Sequence, residues 1–349
     1  MQQVLRRRKS IPALTGFRAV AAYLVFLHHH GPGANMIGNI AMVINQGYIG
    51  VSMFFVLSGF LIYYNYADQV SFKISWFLSY FRNRIVRIYP LFFIIAVLNM
   101  WLIGERSPEI WVFNLTFLSG FTEPWSSTWR LPQAWSLPVE ECFYILAPFI
   151  FFLRRKRNVS LVVMTLVFYG LGYLTYLAFF PWVETSTSLW YFRFHTFFGR
   201  AGDFLIGVYV AELYMNGKLS FGRFKLSYWG AAGILLSLFL LAMFGGNTTE
   251  LGLAVSMWFV PPATGLFIYG LATEDTYIGR ILATRVSVFL GRASFAFYLL
   301  QQGVFHSFLI IEGWRDILSR FLAIQIVAAL AFTLVEDPIH RLLRSKSKV

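Results

Sequence analysis

Apolar positions along the chain gather into long runs separated by short polar gaps. Runs such as residues 161–180 do not alternate in polarity, as the strands of a membrane β-barrel would. They read as helices. Ten fit the pattern, at about 12–31, 44–64, 86–104, 138–153, 160–180, 195–215, 228–244, 252–272, 287–310 and 317–337. Each approaches the roughly 20 residues needed to cross a hydrocarbon core. The pattern predicts an all-α, polytopic transmembrane helix bundle of about ten spans, with both termini cytoplasmic. The connection 104–137 contains a further apolar patch, Ile110–Phe121, too short to span comfortably and better read as interfacial or re-entrant. Trp111, Trp125, Trp129 and Trp135 in that connection suit a membrane-interface belt. No internal repeat or low-complexity segment is visible. The expected organisation is one membrane domain over 1–349, with a basic cytoplasmic N-terminus at 1–11 and a basic cytoplasmic tail at 339–349.

Composition strengthens this reading. The chain has 349 residues, 58% hydrophobic and only 13% charged, whereas soluble domains are about a quarter charged. The net charge of +13 is distributed as topology requires, not as a nucleic-acid surface. Basic clusters at Arg6–Lys9, Lys73 to Arg87, Arg154–Arg157, Lys218 to Lys225, Arg280/Arg285 and Arg341 to Lys348 fall in every second gap between runs. No nucleic-acid partner is expected. The single cysteine, Cys142, rules out an internal disulfide and a Cys-based metal site. It reads as a small buried hydrophobe. The N-terminal basic stretch followed by an apolar run looks like a signal peptide, but HHHGPGAN follows in place of a small-residue cleavage site. The expectation is a retained first helix.

Ionisable residues inside an apolar run are expensive and therefore point to function. Arg18 and His29 sit in LTGFRAVAAYLVFLHHH. Eleven residues are close to three helical turns, so both side chains share a face about 16 Å apart. Ala22 and Val25 between them are small enough to line a channel. His29 is the side chain best suited to proton exchange near neutral pH, and Arg18 suits an anionic or amide-rich ligand. The bland alternative is that Arg18 snorkels to the interface and His29 belongs to an interfacial histidine cluster.

In WSLPVEECFY, Pro138 suits the first turn of a helix. Glu140 and Glu141 then lie in its opening turns, with Glu140 at about the depth of His29. A carboxylate beside an imidazole orients the ring and stabilises its protonated form. A carboxylate favoured by the helix dipole is the competing explanation, and one of the two glutamates is expected to be of that kind. In YFRNRIVRIYP, Arg84 and Arg87 share a helix face and Arg82 is nearby. Guanidinium groups at a helix N-terminus suit phosphate binding; positive-inside arginines explain them equally well. Arg200 and Asp203, three residues apart within a run, either neutralise each other or shape a polar cavity. Gly50, Ser58 and Gly59 read as close helix packing by small residues. No base neighbours Ser58 in sequence, so it is not expected to be a nucleophile.

Taken together and in this order, these segments resemble the acyltransferase-3 family of integral membrane acyltransferases. Arg18 and His29 fall on its Arg/Lys-x10-His motif, GYIGVSMFFVLSGF follows, and Arg82 and Arg84 fit its Arg-x-Arg element. WSLPVEECFY matches WSLxVEExFY, which is what singles out Glu140; RAGDFLIG, SFAFYLL and VEDP complete the set. The resemblance spans nearly the whole chain. In one departure, relatives often carry His where this chain has Gln301, with His306 five residues on. With no further domain after the membrane part, the chain resembles the stand-alone branch.

The resemblance implies transfer of an acyl group, usually acetyl from acetyl-CoA, to a hydroxyl, in the bacterial cytoplasmic membrane and without a metal. Acceptors in the family are surface polysaccharides, lipopolysaccharide, peptidoglycan or secondary metabolites such as macrolides. On this expectation Arg82, Arg84 and Arg87 hold the donor phosphates, the pantetheine arm passes Arg18, and His29 with Glu140 serves the acceptor hydroxyl of a carbohydrate or glycolipid. A glycolipid transporter or flippase is the rival reading, because intramembrane charges also mark transport pathways. Against it, no inverted repeat with paired interrupted helices is visible.

Overall fold

A computed structural model of the chain describes residues 8–31, 38–118, 130–179, 186–217, 224–303 and 317–343. Among the described residues every regular element is helical. In chain order these are α1 (Pro12–His30), α2 (Gly38–Ile44), α3 (Ile49–Tyr66), α4 (Ile74–Leu102), α5 (Pro108–Leu115), α6 (Ser136–Arg157), α7 (Leu161–Phe179) and α8 (Ser186–His195). They continue with α9 (Phe197–Asn216), α10 (Leu226–Met243), α11 (Glu250–Trp258), α12 (Val260–Thr273), α13 (Tyr277–Leu282), α14 (Arg285–Leu300), α15 (Ile317–Ala331) and α16 (Asp337–Leu343). A π-helical turn at Phe332–Glu336 joins the last two.

Each of the ten apolar runs overlaps a helix. The run at 252–272 is divided between α11 and α12 at Phe259. Seven stretches are long and apolar enough to cross a membrane: Ile40–Gln69, Ile74–Leu102, Pro132–Arg157, Leu161–Ala178, Leu226–Met243, Glu250–Thr273 and Ile317–Leu343. Three expected spans fall outside that set. Helix α1 carries Arg18 and a terminal run of three histidines, and α9 carries Arg200, Asp203 and Glu212, while the expected span 287–310 extends past the described residues, which stop at 303. The chain is a multi-pass membrane protein. Helix α5, with eight residues, is about 12 Å long and too short to span. Trp125, Trp129 and His306 lie outside the described residues.

Two expectations need correction. Helix α4 begins at Ile74, twelve residues before the predicted start. Its free N–H groups are therefore two turns away from Arg82, and no helix N-terminus assists these arginines. The second concerns Ala22 and Val25, which are 0% and 2% exposed. A lumen wide enough for a ligand would leave them accessible. Instead a Cβ added at Gly50 of α3 would lie 2.8 Å from Val25 Cγ2 and 2.2 Å from the carbonyl oxygen of Ala21. The stripe between Arg18 and His29 is a packing seam.

The helices fall into two compact units, residues 10–64 with 158–294, and residues 1–9 with 65–157 and 295–349. In the first, small residues bring backbones together. A Cβ at Gly59 would lie 2.1 Å from the Phe204 carbonyl oxygen, and one at Gly207 would lie 2.0 Å from that of Val56. Helices α3 and α9 therefore cross at backbone distance, as packing in an apolar solvent favours, and Phe55 stacks on Phe204 with centroids 4.7 Å apart. In the second unit, polar hooks do more of the joining. Asn99 at the end of α4 donates to the Arg130 carbonyl (2.9 Å), and Arg130 pairs with Glu105 (2.6 Å). Gln133 donates to the Leu299 carbonyl (2.8 Å), and the Tyr298 hydroxyl donates to that of Gln133 (2.6 Å) while 2.9 Å from Ser136 Oγ. These contacts tie the end of α14 to the start of α6.

Gly59→Ala should overpack the α3–α9 crossing, where overpacking costs roughly 1–3 kcal/mol. The melting temperature of detergent-solubilised protein should fall accordingly. Gly170→Ala on α7, where nothing lies within 4 Å of an added Cβ, should leave it unchanged or slightly raised.

Candidate active site

Helix α1 is unbroken from Pro12 to His30, so Arg18 and His29 are set on one face as the spacing predicts. Arg18 is half-buried. Its Nε donates to Ser294 Oγ (3.4 Å), and its guanidinium lies 5.9 Å from the Phe54 ring. His29, at the helix end, is exposed and sits between His28 and His30, ring centroids 4.7 and 6.3 Å away. His28 is tied down: its Nδ1 bonds to the Asn45 carbonyl and its ring meets Tyr48 edge-on at 5.4 Å. Of the three, His29 presents the accessible imidazole.

Arg200 and Asp203 of α9 are 1% and 2% exposed, with Nη1 3.5 Å from Oδ2. Ser52 of α3 completes the cluster, donating to Asp203 Oδ2 (2.6 Å) and accepting from Arg200 Nη1 (3.2 Å). Arg200 Nε donates to the Phe194 carbonyl, and the guanidinium sits 4.1 Å above the Phe194 ring. This pair neutralises itself, which is the simpler of the two readings of its spacing.

The second unit holds the other candidates. Helix α6 begins at Ser136 with Pro138 in its first turn, so Glu140 and Glu141 occupy the opening turns as expected. Both are half-buried. Glu140 accepts a hydrogen bond from Tyr144, one turn further on. Arg84 of α4 is flanked by two aromatic faces, Tyr66 at 5.3 Å and Tyr144 at 5.7 Å, and its Nη2 donates to the Tyr66 hydroxyl (3.2 Å). Its buried Nε–H has no acceptor among the described residues. Arg87, one turn on, is half-buried on the same face. Arg82 is exposed and spends one donor on the Leu343 carbonyl at the end of α16 (3.0 Å), a helix C-terminus that favours a cation. Gln301, at the end of α14, is fully buried.

Residues 11–335 match the acyltransferase domain family. The chain belongs to this acyltransferase family. It is 28% identical to the acyltransferase MdmB of Streptomyces mycarofaciens, over 97% of this chain and 94% of that one. It is 25% identical to the peptidoglycan O-acetyltransferase OatA of Listeria monocytogenes, covering 96% of this chain but only 56% of OatA. No solved structure matches. The protein is an acyl-transferring enzyme, and the transporter reading falls away.

Within this acyltransferase, the structure brings Glu140 and Arg84 together through Tyr144, and places Arg18 and His29 on one helix of the other unit. Reading the sequence had missed Tyr66, Tyr80 and Tyr144 as parts of the site. One signal was available: Pro148 lies four residues after Tyr144 in α6 and deprives its carbonyl of a helical donor. Arg200→Ala should leave Asp203 buried and unpaired, a change that costs about 3–5 kcal/mol where buried pairs are broken. Little folded protein should survive detergent extraction, whereas replacing both members with Leu and Val should recover much of the loss.

Proposed function

We propose that this membrane acyltransferase moves an acetyl group from cytoplasmic acetyl-CoA to a hydroxyl of a carbohydrate acceptor, such as an exopolysaccharide, lipopolysaccharide or another surface glycan, in a bacterial cytoplasmic membrane. The observation that carries the donor half is the state of Arg84. None of the ion pairs among the described residues includes it, two tyrosine rings lie 5.3 and 5.7 Å from it, and its Nε–H lacks an acceptor among the described residues. A guanidinium so held keeps its charge for an anionic ligand, and a phosphate group fits it in charge and geometry. Arg87 on the same face and Arg82 supply further positive charge. Arg18 is assigned to the donor's amide-rich arm.

The acceptor half is assigned to His29 and Glu140. His29 takes the proton from the acceptor hydroxyl as its oxygen attacks the thioester carbonyl. The carbon–sulfur bond then breaks, and the coenzyme A thiolate recovers the proton from the imidazolium, giving an ester and free coenzyme A. Glu140 is assigned as a further acid–base group of the reaction. The name of the relative OatA, a peptidoglycan O-acetyltransferase, supports a carbohydrate acceptor.

His29→Ala should abolish transfer of label from acetyl-CoA into vesicle glycan while expression and membrane insertion persist; substantial retained activity removes His29 from this role. Arg84→Ala should raise the KM for acetyl-CoA on the order of 10- to 100-fold, the range of one charge-assisted hydrogen bond. Excess donor should restore most of the rate. A loss indifferent to donor concentration contradicts the phosphate assignment, and label appearing on a macrolide hydroxyl in place of a glycan replaces the acceptor.

A further inference from the structure

Tyr144 carries three contacts that no single structural need explains. Pro148 has no N–H, so the Tyr144 carbonyl, four residues back in α6, loses its helical donor. The hydroxyl of Tyr80, a side chain 1% exposed on α4, donates to that carbonyl at 3.0 Å. Tyr80 lies one helical turn before Arg84, so this bond docks α4 against α6 beside the arginine. The Tyr144 hydroxyl then donates to Glu140 Oε1, and the Tyr144 ring lies against the Arg84 guanidinium, as the Tyr66 ring also does. One side chain therefore touches both the carboxylate of the proton-transfer half and the cation of the donor-binding half.

We infer that Tyr144 is a positioning residue, holding the Glu140 carboxylate through its hydroxyl and the Arg84 guanidinium through its ring. This rests on the donor and acid–base roles proposed above. The two parts of the side chain act on different kinetic constants, and that separates positioning from mere packing. Removing the hydroxyl alone takes one hydrogen bond from the carboxylate and acts on turnover. Removing the ring as well takes one of two aromatic contacts from the guanidinium and acts on donor affinity.

The experiment uses inverted membrane vesicles containing the full chain, with radiolabelled acetyl-CoA as donor and the vesicle's own glycan as acceptor. Rates are normalised to folded protein measured by fluorescence-detected size exclusion. Tyr144→Phe should lower the maximal rate about tenfold or more while the KM for acetyl-CoA stays within about twofold, since only the bond to a charged group is lost. Tyr144→Leu should also raise that KM by about fivefold or more, as expected from losing a desolvated cation–π contact. Tyr144→Phe behaving as wild type, or both variants changing both constants alike, overturns the inference. Should Tyr144→Leu yield no folded protein, Tyr144→Phe decides alone: an unchanged maximal rate, or a KM that rises as much as the maximal rate falls, overturns the inference. Arg84→Ala and Glu140→Gln run in parallel. If those two retain full transfer, the underlying functional reading fails; if they behave as expected and the tyrosine variants do not, only the role of Tyr144 fails.

Discussion

A charge carried on an apolar membrane helix must be compensated where it stands, because the surrounding medium offers almost nothing. Three arginines of this chain meet that demand in three ways. Arg200 is closed off by Asp203, Ser52 and the Phe194 carbonyl, so its charge is consumed in holding α3 to α9. Arg18 shares a hydroxyl from α14 and lies beside a phenylalanine ring. Arg84 is flanked by tyrosine rings that stabilise a cation without neutralising it. Arg84 enters none of the ion pairs among the described residues and keeps a buried Nε–H without an acceptor, and the functional proposal depends on that state.

The helix packing explains how such a residue can be held precisely enough to matter. Glycines at Gly50, Gly59 and Gly207 let backbones meet in the first unit, which fixes α1, α3 and α9 against one another. The second unit uses the carbonyl freed by Pro148 as an anchor for Tyr80, so the same proline that interrupts the α6 ladder joins α6 to α4. A local defect in one helix is thus converted into a contact between two, one turn from Arg84.

Much of the fold is legible in the apolar runs, because a helix in lipid must satisfy its own backbone and a run of about twenty apolar residues has few alternatives. The start of α4 was not, since ISWFLSYFRNR mixes aromatic and charged residues and breaks the apolar run. The seam at Ala22 and Val25 was misread because small residues suit a channel wall and a close crossing equally; Gly50, distant in sequence, decides it. The motifs that resemble the acyltransferase family singled out Glu140 and Arg84, and the family match over 11–335 bears out the resemblance itself. The tyrosines escaped notice because they carry no charge and meet their partners across 18 and 64 residues of sequence.

The central claim is that arginines of α4 recognise the phosphates of the donor, and comparing two donors tests it most directly. Acetyl-CoA and S-acetylpantetheine carry the same thioester, but the second has no phosphate. In vesicles containing the wild-type chain, the account predicts a KM for S-acetylpantetheine on the order of 100-fold higher or more, the loss of at least two charge-assisted contacts, with a comparable rate at saturation. Equal KM values for the two donors would contradict it.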